Sequence, residues 1–237
     1  MKKFLVLILL TIAFASCNNS KKITLTKLEG SPPYLNAKIS TATITLGDDN
    51  EYAFSFDISN YQLGDQTINN IESQLANSGK GQHIHFILNN GPYSAHYTNN
   101  FKKKLNSDNN VILTFLSRSY HESVKNPNAF ILTQIGETEI DLNNEFLFYS
   151  RPKGTYKGKD TEKLLLDFYL INTAISPDGN KVKATINDTE FVITEWAPFY
   201  IEGLQKGEVK IKLELINSKG KLVDNQFNPS VRTIILE

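Results

Sequence analysis

Residues 83–116 align without a gap against residues 181–214. HIHFILNNGPYSAHYTNNFKKKLNSDNNVILTFL lies beside KVKATINDTEFVITEWAPFYIEGLQKGEVKIKLE. Ile84 falls on Val182, Leu88 on Ile186, Asn89 on Asn187, Tyr93 on Phe191 and Val111 on Val209. Few positions are identical; what repeats is the spacing of apolar residues and turns. Upstream, YAFSFDISNYQLG matches LLLDFYLINTAIS; downstream, NPNAFIL from Asn126 matches NPSVRTIIL from Asn228. Two long copies mean a duplicated domain, because a solenoid is built from more and shorter units. A chain of 237 residues has room for two such domains.

Each copy is a series of short alternating runs cut by turn residues, at 48–50, 89–91, 177–180 and 218–221. VKIKLEL sends Val209, Ile211, Leu213 and Leu215 inward, and Lys210, Lys212 and Glu214 outward, as a half-buried antiparallel strand does. Several such strands per hundred or so residues predict an all-β chain of two tandem immunoglobulin-like β-sandwich domains, without the usual cysteine pair. The expected boundaries are 23–140 for the first sandwich, 141–160 for a linker or first strand, and 161–237 for the second. The insert GDQTINNIESQLANSGKG reads either as a short helix with Ile68, Ile71 and Leu75 on one face or as a polar loop. Trp196 and Phe199 read either as exposed aromatics or as a seal at the junction between the domains, with the junction favoured.

The first residues set the destination. MKKFLVLILLTIAFASC has Lys2 and Lys3, an apolar run, small residues and then the chain's one cysteine. That is a secretory signal, too short for a stable membrane span. It resembles the bacterial lipoprotein signal, which implies cleavage after residue 16, a lipid-modified Cys17 and a tether over 17–22. The expected location is the cell envelope, as an outer-membrane lipoprotein facing the periplasm. With no second thiol there is no disulfide to expect. Lys+Arg and Asp+Glu both number 25, so no global field draws in nucleic acid.

Three of the chain's four histidines, His83, His85 and His96, sit close together in the first copy. If Asn90 and Gly91 form a two-residue hairpin turn, Leu88 faces Tyr93, Phe86 faces Ala95 and Ile84 faces Tyr97 on the core side. His85 then lies opposite His96, with His83 two residues along, on the other face. Directly opposite Cβ atoms are about 5 Å apart, close enough for the imidazoles to share Zn²⁺ or Cu²⁺. The competing reading is a solvated polar face, since Lys181, Lys183 and Thr194 occupy these positions in the second copy. Asp108 and Glu122 are candidate carboxylates for such a site.

The fourth histidine lies in FLSRSYHESVK, where cations and hydroxyls alternate in a manner suited to holding an anion. GQHIHFILNN, FLSRSYHES, YSRPKG and LDFYLINT together resemble a family of poorly characterised bacterial lipoproteins, some of them labelled phosphopeptide-binding proteins. The resemblance implies Arg118, Ser119 and His121 as carriers of phosphopeptide binding, and implies no catalytic residues. No Gly-x-Ser-x-Gly elbow or His-Glu-x-x-His helix is present. The sequence therefore points to a non-catalytic binding module with an envelope protein or peptide as partner, membrane contact through Cys17, and no cofactor unless the histidines take Zn²⁺ or Cu²⁺.

Overall fold

The computed structural model describes residues 22–68, 71, 74–106, 109–137 and 140–237. The leader 1–16, Cys17 and Asp108 lie outside the described residues, as does nearly all of the tether. The first part of the chain forms β1 (Thr24–Lys27), β2 (Lys38–Leu46), β3 (Glu51–Ser59) and β4 (His83–Leu88). It continues through β5 (Ser94–His96), β6 (Asn100–Lys104), β7 (Asn109–Ser117) and β8 (Phe130–Gly136). The second part forms β9 (Phe146–Arg151), β10 (Thr155–Tyr156), β11 (Lys163–Ile171) and β12 (Lys181–Ile186). It ends with β13 (Thr189–Ile193), β14 (Phe199–Glu202), β15 (Gly207–Ile216) and β16 (Ser230–Leu236).

The duplication is visible in the strand order. Sheet β2-β3-β6 covers sheet β5-β4-β7-β8; sheet β9-β11-β14 covers sheet β13-β12-β15-β16 in the same order. β1 and β10 are extra edge strands on the second unit. Each unit is an immunoglobulin-like sandwich of three strands on four. Phe54, Phe56, Ile84, Phe86, Ile112 and Leu116 fill the first. Val209, Ile211, Leu213 and Leu215 face into the second, opposite Leu164, Leu166 and Phe168.

Three details refine the sequence expectation. β1 pairs with β14, so the N-terminal strand belongs to the second sandwich and not to a unit spanning 23–140. Of the two readings of 141–160, first strand is the one that describes it: Phe146–Arg151 is a fully buried strand of the second sandwich. The ungapped alignment slips by one residue before β7: β4 pairs Leu88 with Ile112, whereas β12 pairs Ile186 with Ile211. Val111 therefore corresponds to Lys210, and the slip reverses its facing.

The two sandwiches are fused. Ile87, Val111, Leu113 and Phe115 leave the first core on its far side and meet Phe146, Phe148, Tyr169 and Ile171 of the second. The molecule is thus four sheets deep, with three apolar seams, and β4, β7, β9 and β11 are buried on both faces. Trp196 touches both the second core and the seam, and its Nε1–H donates to the Phe168 carbonyl at 3.0 Å. In the insert, Ile71 and Leu75 are buried beside Leu28, Tyr120 and Leu165, while Ile68 is exposed.

Polar hooks fasten the seam. The Asn90 side chain donates to the Leu147 carbonyl at 3.2 Å and accepts from Tyr149 N–H at 2.8 Å. Buried Asp167 on β11 accepts from Ser123 N–H and Oγ–H at 3.2 and 3.0 Å, and pairs with Lys125 at 2.5 Å.

Candidate metal centre

β4 carries His83 and His85 on its seam face, as two-residue periodicity dictates, and both are fully buried. The sequence expectation that these rings leave the sandwich core holds. The expectation that their face is solvated does not, because the second sandwich covers it.

His96 is elsewhere. The β4–β5 register pairs Ile84 with His96, His85 with Ala95 and Phe86 with Ser94, one residue off the expected hairpin. The physical reason is the turn: Asn90 is drawn into β9 and the loop widens, closed by Gly91 N–H to the Leu88 carbonyl at 2.8 Å. A one-residue change in register reverses every side chain on β5. His96 consequently stacks on Phe101 at 3.5 Å, away from the other two imidazoles.

The third ring is His121. His83 Nε2 lies 2.9 Å from His85 Nε2 and 3.0 Å from His121 Nδ1. The three ligand atoms all fall within 4.8 Å of one another, and no carboxylate belongs to the cluster among the described residues. The His83 Nδ1–H donates to the Gly81 carbonyl at 2.8 Å, which leaves the Nε2 lone pair facing the cluster. His85 Nδ1 is 3.3 Å from Ser150 Oγ of β9. Tyr93 closes one side: its ring stacks on His85 at 3.5 Å and its Oη is 3.1 Å from His121 Nδ1.

His121 reaches the cluster through an unusual backbone. Its φ is 71°, in the left-handed region, and its N–H donates to the Arg118 carbonyl at 2.9 Å. The same turn in the second sandwich has Gly220 at φ 75°, donating to the Asn217 carbonyl at 2.9 Å. Glycine adopts this conformation freely; another L-residue pays about 1–2 kcal/mol. Strain of this kind is characteristic of functional positions.

Arg118 and Ser119, expected beside it as anion carriers, are both engaged inside the fold. Arg118 is buried, paired with Glu122 at 3.0 Å, and donates to the Ser123 carbonyl at 2.9 Å and to the Pro32 carbonyl. Ser119 is buried, its Oγ accepting from Thr67 N–H at 3.2 Å. Glu122 is also bonded to Ser31 and is no ligand candidate.

Burial, and the cations Arg151 and Lys153, lower His83 from 6.5 to about 4. Burial and the neighbouring imidazoles and cations hold His85 and His121 well below the usual range. Burial also lowers His96 to about 4. All four are neutral at pH 7, the form that binds metal. The unfolded chain takes up these protons as pH falls through about 6.5, whereas in the folded chain His83 and His96 resist until about 4. Metal-free stability should therefore be full above pH 7 and decline between about 6.5 and 4, by about 3 kcal/mol for His83 alone. Urea midpoints at pH 7.5 and 5 test this; equal midpoints would contradict it.

Gly81 is a second sensitive point. Its φ is +81°, and a Cβ there would stand 2.2 Å from the Gly64 carbonyl oxygen. Gly81→Ala should cost more than about 2 kcal/mol in chemical denaturation and displace the carbonyl that orients His83.

No family model matches the sequence, and no curated protein matches it. Among solved structures the chain is similar to the fibronectin(III)-like modules of Clostridium thermocellum CbhA, at 11% identity over 84% of this chain and 94% of that one, with a TM-score of 0.31. It is similar to the central fibronectin-III array of RIM-binding protein at 8% identity, over 85% and 69% of the two chains, with a TM-score of 0.28. It is similar to the chicken CNTN1 FN1-FN3 domains at 11% identity, over 88% and 68%, with a TM-score of 0.25. Likenesses this loose carry no functional argument.

Proposed function

We propose that this chain is a metal-binding protein of the cell envelope, holding Zn²⁺ or Cu²⁺ through His83 Nε2, His85 Nε2 and His121 Nδ1. The observation that carries this reading is the convergence of three neutral imidazole nitrogens at the seam, two on buried rings and the third on the half-buried His121. His83 Nε2 has one in-plane lone pair, yet two other ring nitrogens lie within hydrogen-bond distance of it. One lone pair cannot fully satisfy two donors. A cation where the lone pairs meet satisfies all three rings. Metal–nitrogen bonds of 2.0–2.1 Å in tetrahedral geometry need nitrogens about 3.3 Å apart; the two pairs that His83 makes stand at 2.9 and 3.0 Å, and the third lies within 4.8 Å, so binding draws His85 and His121 about one ion. The Gly81 carbonyl and Ser150 Oγ serve as outer partners that fix ring orientation.

Dialysis of the mature protein against Zn²⁺ or Cu²⁺, followed by metal analysis, tests the reading. We expect one ion per chain, lost in His83→Ala and in His121→Gly and retained in His96→Ala. Loss in His96→Ala, or retention in the other two, would sink it. The leader sequence supports lipid attachment at Cys17 and residence at the outer membrane facing the periplasm, where an envelope protein or peptide is the expected partner. Cys17→Ser should move the protein from the membrane fraction to the soluble one.

A further inference from the structure

We propose that Tyr93 supplies the fourth donor to this metal as a phenolate, closing the coordination sphere; this rests on the metal reading above. Four donor atoms run in sequence: His85 Nε2 to His83 Nε2 at 2.9 Å, on to His121 Nδ1 at 3.0 Å, and on to Tyr93 Oη at 3.1 Å. Tyr93 is 4% exposed and its ring lies flat on His85, 13° from parallel, so the phenol is already held in place. Tyr97 also approaches His83, with ring centroids 5.0 Å apart, but its Oη is engaged by Ser78 Oγ at 2.7 Å.

Charge gives the second argument. Lys153 Nζ stands 4.1 Å from the centre of the Tyr93 ring, and the Arg151 guanidinium carbon stands 5.5 Å from it. Among the described residues neither cation forms an ion pair; Arg151 Nη1 donates instead to Tyr156 Oη at 2.6 Å, and its Nε has no hydrogen-bond partner. Three neutral imidazoles would leave a dication beside two uncompensated cations. A phenolate supplies one negative charge at the metal and an anionic neighbour for Lys153 and Arg151. As the Oη–metal bond forms, the O–H bond breaks and the proton passes to water; nothing is oxidised or reduced. A bound dication is strong enough to deprotonate a ligand that burial alone would keep protonated. A closed set of four protein donors is the arrangement of a holding site, whereas a hydrolytic site keeps one position open for water.

The test is one equivalent of Cu²⁺ added to the mature protein. We expect a visible phenolate-to-copper charge-transfer band, nitrogen hyperfine structure in the electron paramagnetic resonance spectrum, and release of one proton per ion at pH 7.5 by calorimetry in two buffers. Tyr93→Phe keeps the stacked ring; it should lose the band and the proton release, keep the nitrogen signature, and bind copper at least about tenfold more weakly. Nitrogen hyperfine with no charge-transfer band in the parent protein overturns the phenolate and leaves the metal reading standing. An unchanged band in Tyr93→Phe does the same. Absence of copper uptake overturns both.

Discussion

His121→Gly is expected to erase the rise in melting temperature that Zn²⁺ gives the parent protein, while leaving the metal-free protein within about 1 kcal/mol of it. The two halves of this result have separate causes. In the metal-free protein, His121 holds φ at 71°, where the equivalent residue of the second sandwich is Gly220 at 75°. Glycine relieves about 1–2 kcal/mol of backbone strain, which offsets lost ring contacts of similar size. With metal, a ligand bound only by the folded state stabilises it by about 4 kcal/mol at a thousand times its dissociation constant. For a chain of this size, that corresponds to an increase of about 8–16 °C. Removing one of three imidazoles removes that gain. A variant that still melts higher in Zn²⁺ would show that His121 is no ligand. A large loss of metal-free stability would show that it is chiefly a packing residue.

The second large effect concerns the seam. Phe115→Ala should destabilise the protein by about 3–5 kcal/mol, and parent and variant alike should unfold in one calorimetric transition. Phe115 is fully buried, stacks on Tyr169 of the second sandwich at 4.8 Å, and meets the His85 ring edge-on at 5.1 Å. In independent tandem domains this outward side of β7 would face water, and truncation there would cost almost nothing. Two separate melting transitions, only one of them moved by the substitution, would mean that the sandwiches fold independently.

The duplicated sandwich was legible because alternation is a local signal. Val209, Ile211, Leu213 and Leu215 point inward as their spacing requires, and all are buried. The fused seam also left a trace. HIHFIL, VILTFL, FLFYS and LLLDFYLI lack clean alternation, as strands covered on both faces do. Treating them as half-buried put the histidines in water. The β5 register was not legible from the turn alone, because Asn90 answers to Leu147 and Tyr149, far along the chain. His121 was singled out with the wrong neighbours: its link to His83 and His85 depends on folding, although its counterpart, Gly220, marks it once the one-residue slip before β7 is allowed for.

The fold carries its own blank. Lys181, Lys183 and Gly220 stand where His83, His85 and His121 stand in the first sandwich, on matching strands and a matching turn. Among the described residues no third sheet roofs them, and Lys183 pairs with Glu214 at 3.1 Å and Glu190 at 3.6 Å. Changing those three positions to histidine would draw the same triangle on an open wall, without Tyr93 or Ser150 above it. The gap in affinity between that copy and the sheltered original would measure what enclosure contributes beyond the ligands themselves.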